Sequence, residues 1–143
     1  MEKSFPRDVE VLPRITDFVE GFLRAEGLDA LSFEVNLIVE ELFTNQVKYN
    51  PGAAHPIRLA LRTVAGGVEL RLVDEGVARF DPTEAPEVDI ARRPDERWPG
   101  GLGIHLVRRL ADGIRYHYDE PTGTSTVIVT KRREAPDDRD PED

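Results

Sequence analysis

The run IRLALRTVAGGVELRL, residues 57–72, alternates apolar and polar positions with a period of two. Ile57, Leu59 and Leu61 alternate with Arg58, Ala60 and Arg62; after Ala65-Gly66-Gly67, Val68, Leu70 and Leu72 alternate with Glu69 and Arg71. Successive side chains on a strand point to opposite faces, so each half has one apolar and one polar face, and the glycines supply the turn. The reading is a β-hairpin, buried on one side and wet on the other.

Upstream the period is helical. Leu12, Ile15, Val19, Phe22 and Leu23 recur at spacings of three and four, which predicts a helix from about Glu10 to Glu26, with Pro13 in its first turn and Gly27 as its stop. A second helix is expected from about Ser32, a candidate N-cap, to Tyr49. Leu31, Val35, Ile38 and Leu42 form its buried stripe, and Asn50-Pro51-Gly52 ends it. Downstream, regular periodicity vanishes from Asp74 to Pro99, a stretch holding four of the eleven prolines, and such a segment in a small domain is usually functional or mobile. A third helix, about Gly103–Asp112, follows Gly100, Gly101 and Gly103. Two strands, about Ile114–Asp119 and Ser125–Lys131, close the chain around a turn at Pro121–Gly123. Hairpin-linked strands with separately gathered helices predict an α/β fold of the α+β kind: a two-layer sandwich whose mostly antiparallel sheet is covered on one face by helices.

The 143 residues suit one domain, and 39% apolar with 33% charged residues is ordinary for a soluble protein. No apolar run reaches the roughly 20 residues a bilayer span needs. The start, MEKSFPRDVE, lacks the basic-then-apolar order of a signal peptide, so no membrane and a cytoplasmic location are expected. With no cysteine, disulfides and thiolate metal sites are excluded. The net charge is −9, and −5 of it sits in the last ten residues, EAPDDRDPED, expected to be a disordered acidic tail over 134–143. No basic stripe stands out, which argues against nucleic acid as the main partner.

Three groups carry candidate chemistry. Glu41 and Asn45, in VEELFTNQVKYN, lie one helical turn apart on one face. Magnesium keeps several waters and often takes one side-chain oxygen plus phosphate oxygens; an Asn carbonyl fits, and a Glu one turn earlier could accept a proton. The same pair also fits a solvated helix face. Asp74 and Gly76, in LVDEGVARFDP, end a strand. A buried carboxylate there could accept a hydrogen bond from the exocyclic amine of adenine, and glycine lets the backbone approach a flat base. An ordinary strand-ending turn fits as well. Gly100-Gly101-Leu102-Gly103 leads into a helix N-terminus, where bare N–H groups and the dipole favour a phosphate; a plain hinge is the other reading. His55, His105 and His117 have no metal spacing, and Arg108 and Arg109 read as a solvated helix face.

Taken in order, Glu-x-x-x-Asn, strand-Asp-x-Gly, a proline-rich stretch and Gly-Gly-Leu-Gly before a helix resemble the GHKL ATPase superfamily (gyrase, heat-shock chaperone ATPases, histidine kinases and MutL). The short form and the run DERWPGGLGIHLVRRLAD, residues 95–112, look like the anti-sigma-factor serine/threonine kinases of the RsbW type, over about Phe5 to Arg132. The resemblance implies a Bergerat ATP-binding fold in one kinase domain over 1–133, with ATP and Mg2+ as cofactors. It implies Asn45 as the Mg ligand, Glu41 as general base, Asp74 as the adenine reader and Gly76 beneath the base. It also implies Gly101 and Gly103 in the lid hinge, Arg97 near a phosphate, and Thr126, or equally Thr124, in the adenine pocket. It implies transfer of phosphate to an anti-anti-sigma (STAS-type) partner, sequestration of a sigma factor, and a homodimer as an option. A non-catalytic ATP-gated switch of the same fold is the alternative. Two departures fall in or near the lid: one extra residue between Asp74-Glu75-Gly76 and Phe80-Asp81-Pro82, and Trp98 where the family usually has proline. The lid over Phe80–Pro99 is expected to be mobile without nucleotide.

Overall fold

The computed structural model describes residues 1–50, 52–79 and 101–133. The expected lid, with Arg97, Trp98 and Gly100, and the acidic tail lie outside the described residues. The hairpin forms where the period-two reading places it, as β2 (Ile57–Val64) and β3 (Gly67–Asp74), with Val64 paired to Gly67 across the turn. Two further strands, β4 (Gly113–Asp119) and β5 (Thr124–Arg132), form the second hairpin. A strand absent from the sequence reading, β1 (Glu2–Phe5), adds to the free edge of β2. The sheet order is β1-β2-β3-β5-β4, and every pairing is antiparallel.

Three helices complete the described fold: α1 (Leu12–Ala25), α2 (Ser32–Tyr49) and α3 (Gly101–Leu110). The bounds of α2 agree with the sequence reading, but its cap differs. A 3-10 turn over Asp29–Leu31 feeds the helix, Leu31 holds the N-cap position, and the Ser32 hydroxyl donates instead to Glu20 Oε2 at 3.2 Å. A similar 3-10 turn, Val9–Val11, leads into α1. α2 packs between α1 and α3.

The parity of the strands decides which side chains meet the helices. Leu59 and Leu61 on β2, Val68, Leu70 and Leu72 on β3, and Val127 and Val129 on β5 join Val19, Val35, Ile38 and Val107 in one buried apolar cluster. Burying each such side chain stabilises by roughly 1.5–3 kcal/mol. A one-residue slip of β5 would turn Val127 and Val129 outward together, so packing holds the register. That register pairs Ser125 with Asp74 and Thr126 with Val73. Lys131 fastens the far end of this layer: its Nζ donates to the Leu110 carbonyl at 2.8 Å, closing α3, and lies 2.9 Å from Glu34 on α2. No helix among the described residues is long and apolar enough to cross a membrane.

Candidate functional site

α2 carries the first two groups. Residues at i and i+4 share a helical face, so Glu41 and Asn45 stand together beside the buried stripe of Ile38, Val39 and Leu42. Both are half-buried. Burial, and secondarily the neighbouring Glu40 charge, push the Glu41 carboxyl above its ordinary range. A raised carboxyl is a better proton acceptor when ionised, which suits a base near neutral pH. Asn45 has its amide Nδ2 buried with no partner among the described residues. The two ends of an amide are interchangeable by a flip, so this side chain has unused polar capacity that a bound group can satisfy. That fits an oxygen ligand to Mg2+. Among the described residues no group of three or more His, Cys, Asp or Glu could hold a metal by itself. A cation held at Asn45 would draw its remaining ligands from water and phosphate, as magnesium commonly does.

β3 delivers the third group. Asp74 is its last residue, on the helix-covered face, and only 1% exposed. Neither carboxylate oxygen accepts a hydrogen bond from the described residues. Among the described residues it pairs with Arg7, whose Nη2 forms an ion pair with Oδ1. The other nitrogens of Arg7 hold backbone: Nε donates to the His55 carbonyl at 2.9 Å, and Nη1 to the carbonyls of Gln46 and Asn50 at 3.3 and 3.4 Å. One guanidinium thus spans from the last turn of α2 to the end of β3, which brings the neighbourhood of Asn45 and Asp74 within a single side chain's reach. Arg7 itself is desolvated there, which lowers its proton affinity.

After Asp74 the chain turns at Gly76, which sits at φ +68°, a conformation side-chain-bearing residues rarely adopt. The ring of His55 lies 3.5 Å from where a Gly76 Cβ would stand. Val77 then binds both ways: its N–H donates to the Gly123 carbonyl at 2.9 Å, and its carbonyl accepts from the Tyr118 hydroxyl at 2.6 Å. Gly123, at φ +67°, packs so closely on this segment that a Cβ would stand 3.3 Å from the Val77 oxygen. Arg79 lies over the Tyr116 ring, 5.7 Å from its centroid. The segment carrying the extra residue therefore starts from a turn pinned to the β4–β5 hairpin.

Thr126 and Thr124 do not share the face of Asp74. Both lie on the open face of the sheet, Thr126 across from Val73. Ser125, 2% exposed, is the hydroxyl opposite Asp74. The physical reason is parity: with Val127 and Val129 in the core, only odd-numbered positions of β5 face the helices. Gly101 and Gly103 fall in the first turn of α3, which begins earlier than the expected Gly103. α3 packs on α2, and the N-terminus of a helix is a place where backbone N–H groups and the dipole favour an anion. Arg97 is outside the described residues. The residues missed in sequence are Arg7, Ser125, His55 and Tyr118. Ser125 carried no signal of its own, because the unbroken apolar run Val127-Ile128-Val129 does not show which parity of β5 faces the helices.

Comparison with known proteins gives three results. A family model described as a histidine kinase-like ATPase domain matches residues 5–131. The serine/threonine-protein kinase BtrW of Bordetella bronchiseptica is 35% identical over 96 residues, covering 66% of this chain and 67% of that protein. Among solved structures, the histidine kinase AdeS of Acinetobacter baumannii aligns with a TM-score of 0.49 and 17% identity, covering 94% of this chain and 68% of that one.

Proposed function

This chain belongs to the histidine kinase-like ATPase family, and from that premise we propose that it is a Mg-ATP-dependent protein serine/threonine kinase of the anti-sigma type. The observation that supports the reading is a set of polar groups on α2 and at the end of β3: Glu41, whose carboxyl burial raises, the buried Asn45 amide with no partner among the described residues, and the buried Asp74 carboxylate, which accepts no hydrogen bond from them. The BtrW likeness supports the choice of a serine/threonine acceptor.

In this reading Asp74 accepts an N–H from the adenine amine, and Gly76 lets the base lie against backbone. Asn45 holds Mg2+ through its amide oxygen, and the metal supplies charge neutralisation on the phosphates. The N-terminal amides of α3 face the same anion. Glu41 accepts the proton of the attacking hydroxyl as the γ-phosphoryl is transferred; positioning and charge compensation supply most of the rest. The acceptor is a Ser or Thr of an anti-anti-sigma partner, and the same protein sequesters a sigma factor.

The test has two stages. Partners retained from cell extract are identified by mass, and each is then incubated with the protein, Mg2+ and γ-labelled ATP. Label on a Ser or Thr of one partner is the expected result. No label, combined with partner binding that changes between ATP and ADP, replaces the kinase with an ATP-gated switch.

A further inference from the structure

Neither motif spacing nor the family resemblance calls for Arg7. Its side chain is 10% exposed, and its donors reach three segments at once: the end of α2, the residues leading into β2, and Asp74 at the end of β3. An arginine needed only to close the end of α2 requires no carboxylate. A carboxylate present only to balance that arginine has no reason to keep an oxygen bare, because a bidentate pair would use both. Here the pair is one-sided. Oδ1 meets the guanidinium, while Oδ2 is buried without a partner among the described residues.

We propose that Arg7 is a positioning residue for base recognition: by engaging Oδ1 it holds Asp74 as an oriented carboxylate whose other oxygen takes an N–H from the base. It thereby sets the preference for a base with an exocyclic amine over one with an oxo group at that position. The inference rests on the reading of Asp74 as the base contact and adds the group that makes the contact selective.

The chemistry is a matter of donors and acceptors. An ionised carboxylate only accepts hydrogen bonds, so it matches adenine's amine and repels guanine's carbonyl oxygen. A carboxylic acid also donates, and would tolerate either base. Burial without a countercharge drives a carboxylate toward the neutral acid, and a neighbouring guanidinium opposes this. Arginine suits the task better than lysine. Its planar fork can hold three backbone carbonyls and one carboxylate oxygen in a fixed plane, whereas an ammonium on a flexible stem cannot.

The experiment uses the full chain and two probes, Mg-ATP and Mg-GTP, titrated by calorimetry, with thermal melting alongside. The variants are Arg7→Met, Arg7→Lys and Asp74→Asn. In the wild type ATP is preferred. In Arg7→Met the ATP-to-GTP affinity ratio falls by at least about tenfold, with ATP weaker and GTP unchanged or tighter; Arg7→Lys falls between. A residue that merely braces the fold weakens both nucleotides alike and leaves the ratio intact, and that result overturns the proposal. Should Arg7→Met fail to fold, Arg7→Lys decides in the same way: a wild-type ratio overturns it, a reduced ratio upholds it. Failure of the underlying reading looks different. A wild type with no preference, or an Asp74→Asn variant with unaltered preference, removes Asp74 as the base contact, and the role of Arg7 falls with it.

Discussion

Strand β3 buries two carboxylates on opposite faces of one sheet, and their surroundings differ in kind. Glu69, on the open face, is 4% exposed and fully engaged. Arg62 Nε and Nη2 donate to its two oxygens at 2.8 and 2.9 Å, Arg71 Nε donates at 3.1 Å, and Arg115 lies 3.7 Å away. The Arg62 hydrogen bond is the largest cause, helped by Arg71, that holds its carboxyl down at about 2 against the opposing effect of burial. Asp74, on the helix-covered face, has one ion pair and no hydrogen bond from the described residues. Three arginines around a buried acid make a self-contained knot. A buried acid with a bare oxygen is unfinished, and unfinished polar groups are where ligands bind. In the proposed reading, the first acid serves the fold and the second serves the site.

The largest effect that sharpens this contrast lies on the site side. Glu41→Gln preserves shape and is expected to slow phosphoryl transfer by roughly 10²–10⁴-fold while leaving nucleotide affinity nearly unchanged. Rapid-quench transfer assays beside calorimetry measure both, and a variant as fast as the wild type removes Glu41 as the base. Next comes Asp74→Asn, which trades an acceptor for an amide. Its ATP affinity should drop by about 1–3 kcal/mol, a factor of roughly 5–150, while the melting temperature falls less than in Glu69→Gln, because the amide oxygen can still accept from the one Arg7 nitrogen that faces it.

The mirror experiment is Glu69→Gln. It leaves three arginines facing a neutral group and is expected to destabilise the fold by about 1–3 kcal/mol, with ATP affinity unaltered. If Glu69→Gln weakened ATP as much as Asp74→Asn does, the separation of the two acids would collapse. Acid titration adds a signature. A carboxyl lowered from 4.5 to about 2 on folding lends stability that is present above pH 4.5 and lost as the pH falls toward 2. Urea unfolding across that window should show the loss in the wild type and a flatter curve in Glu69→Gln. The smallest effect runs the other way. Glu41 is raised on folding, so ionising it as pH climbs past 4.5 opposes the fold. Glu41→Gln should therefore melt slightly higher than the wild type at neutral pH and show no gain at pH 3.

Much of this arrangement was legible from residue order because its causes are local. The alternation over Ile57–Leu72 and the apolar stripe of α2 are each readable within one element, and both survive folding with nearly the expected bounds. What escaped is relational. β1 is four residues long with two charged side chains, and it becomes a strand only because β2 offers a free edge. Ser125 was passed over for its threonine neighbours because the face of a β5 residue depends on the pairing with β3, which no short motif encodes. Arg7 was invisible for the strongest reason: its partners lie 39 to 67 positions downstream, from Gln46 to Asp74. The places of Glu41 and Asn45 on α2 and of Asp74 at the end of β3 were readable because each sits on a periodic element whose phase the sequence displays.

The strand order also has a consequence for the order of synthesis. β3 lies between β2, which precedes it, and β5, which begins only at Thr124. The floor beneath Gly76 and Val77 comes from the same late hairpin, through Tyr118 and Gly123. A ribosome that has delivered α1, α2, β2 and β3 has thus delivered the proposed metal and base contacts, Asn45 and Asp74, without the hairpin that packs against the turn after Asp74. At roughly 5–20 residues per second, several seconds separate the emergence of Asp74 from that of Ser125. During that interval β3 exposes an unpaired edge, and the proposed nucleotide site is complete only when nearly the whole described chain has left the tunnel.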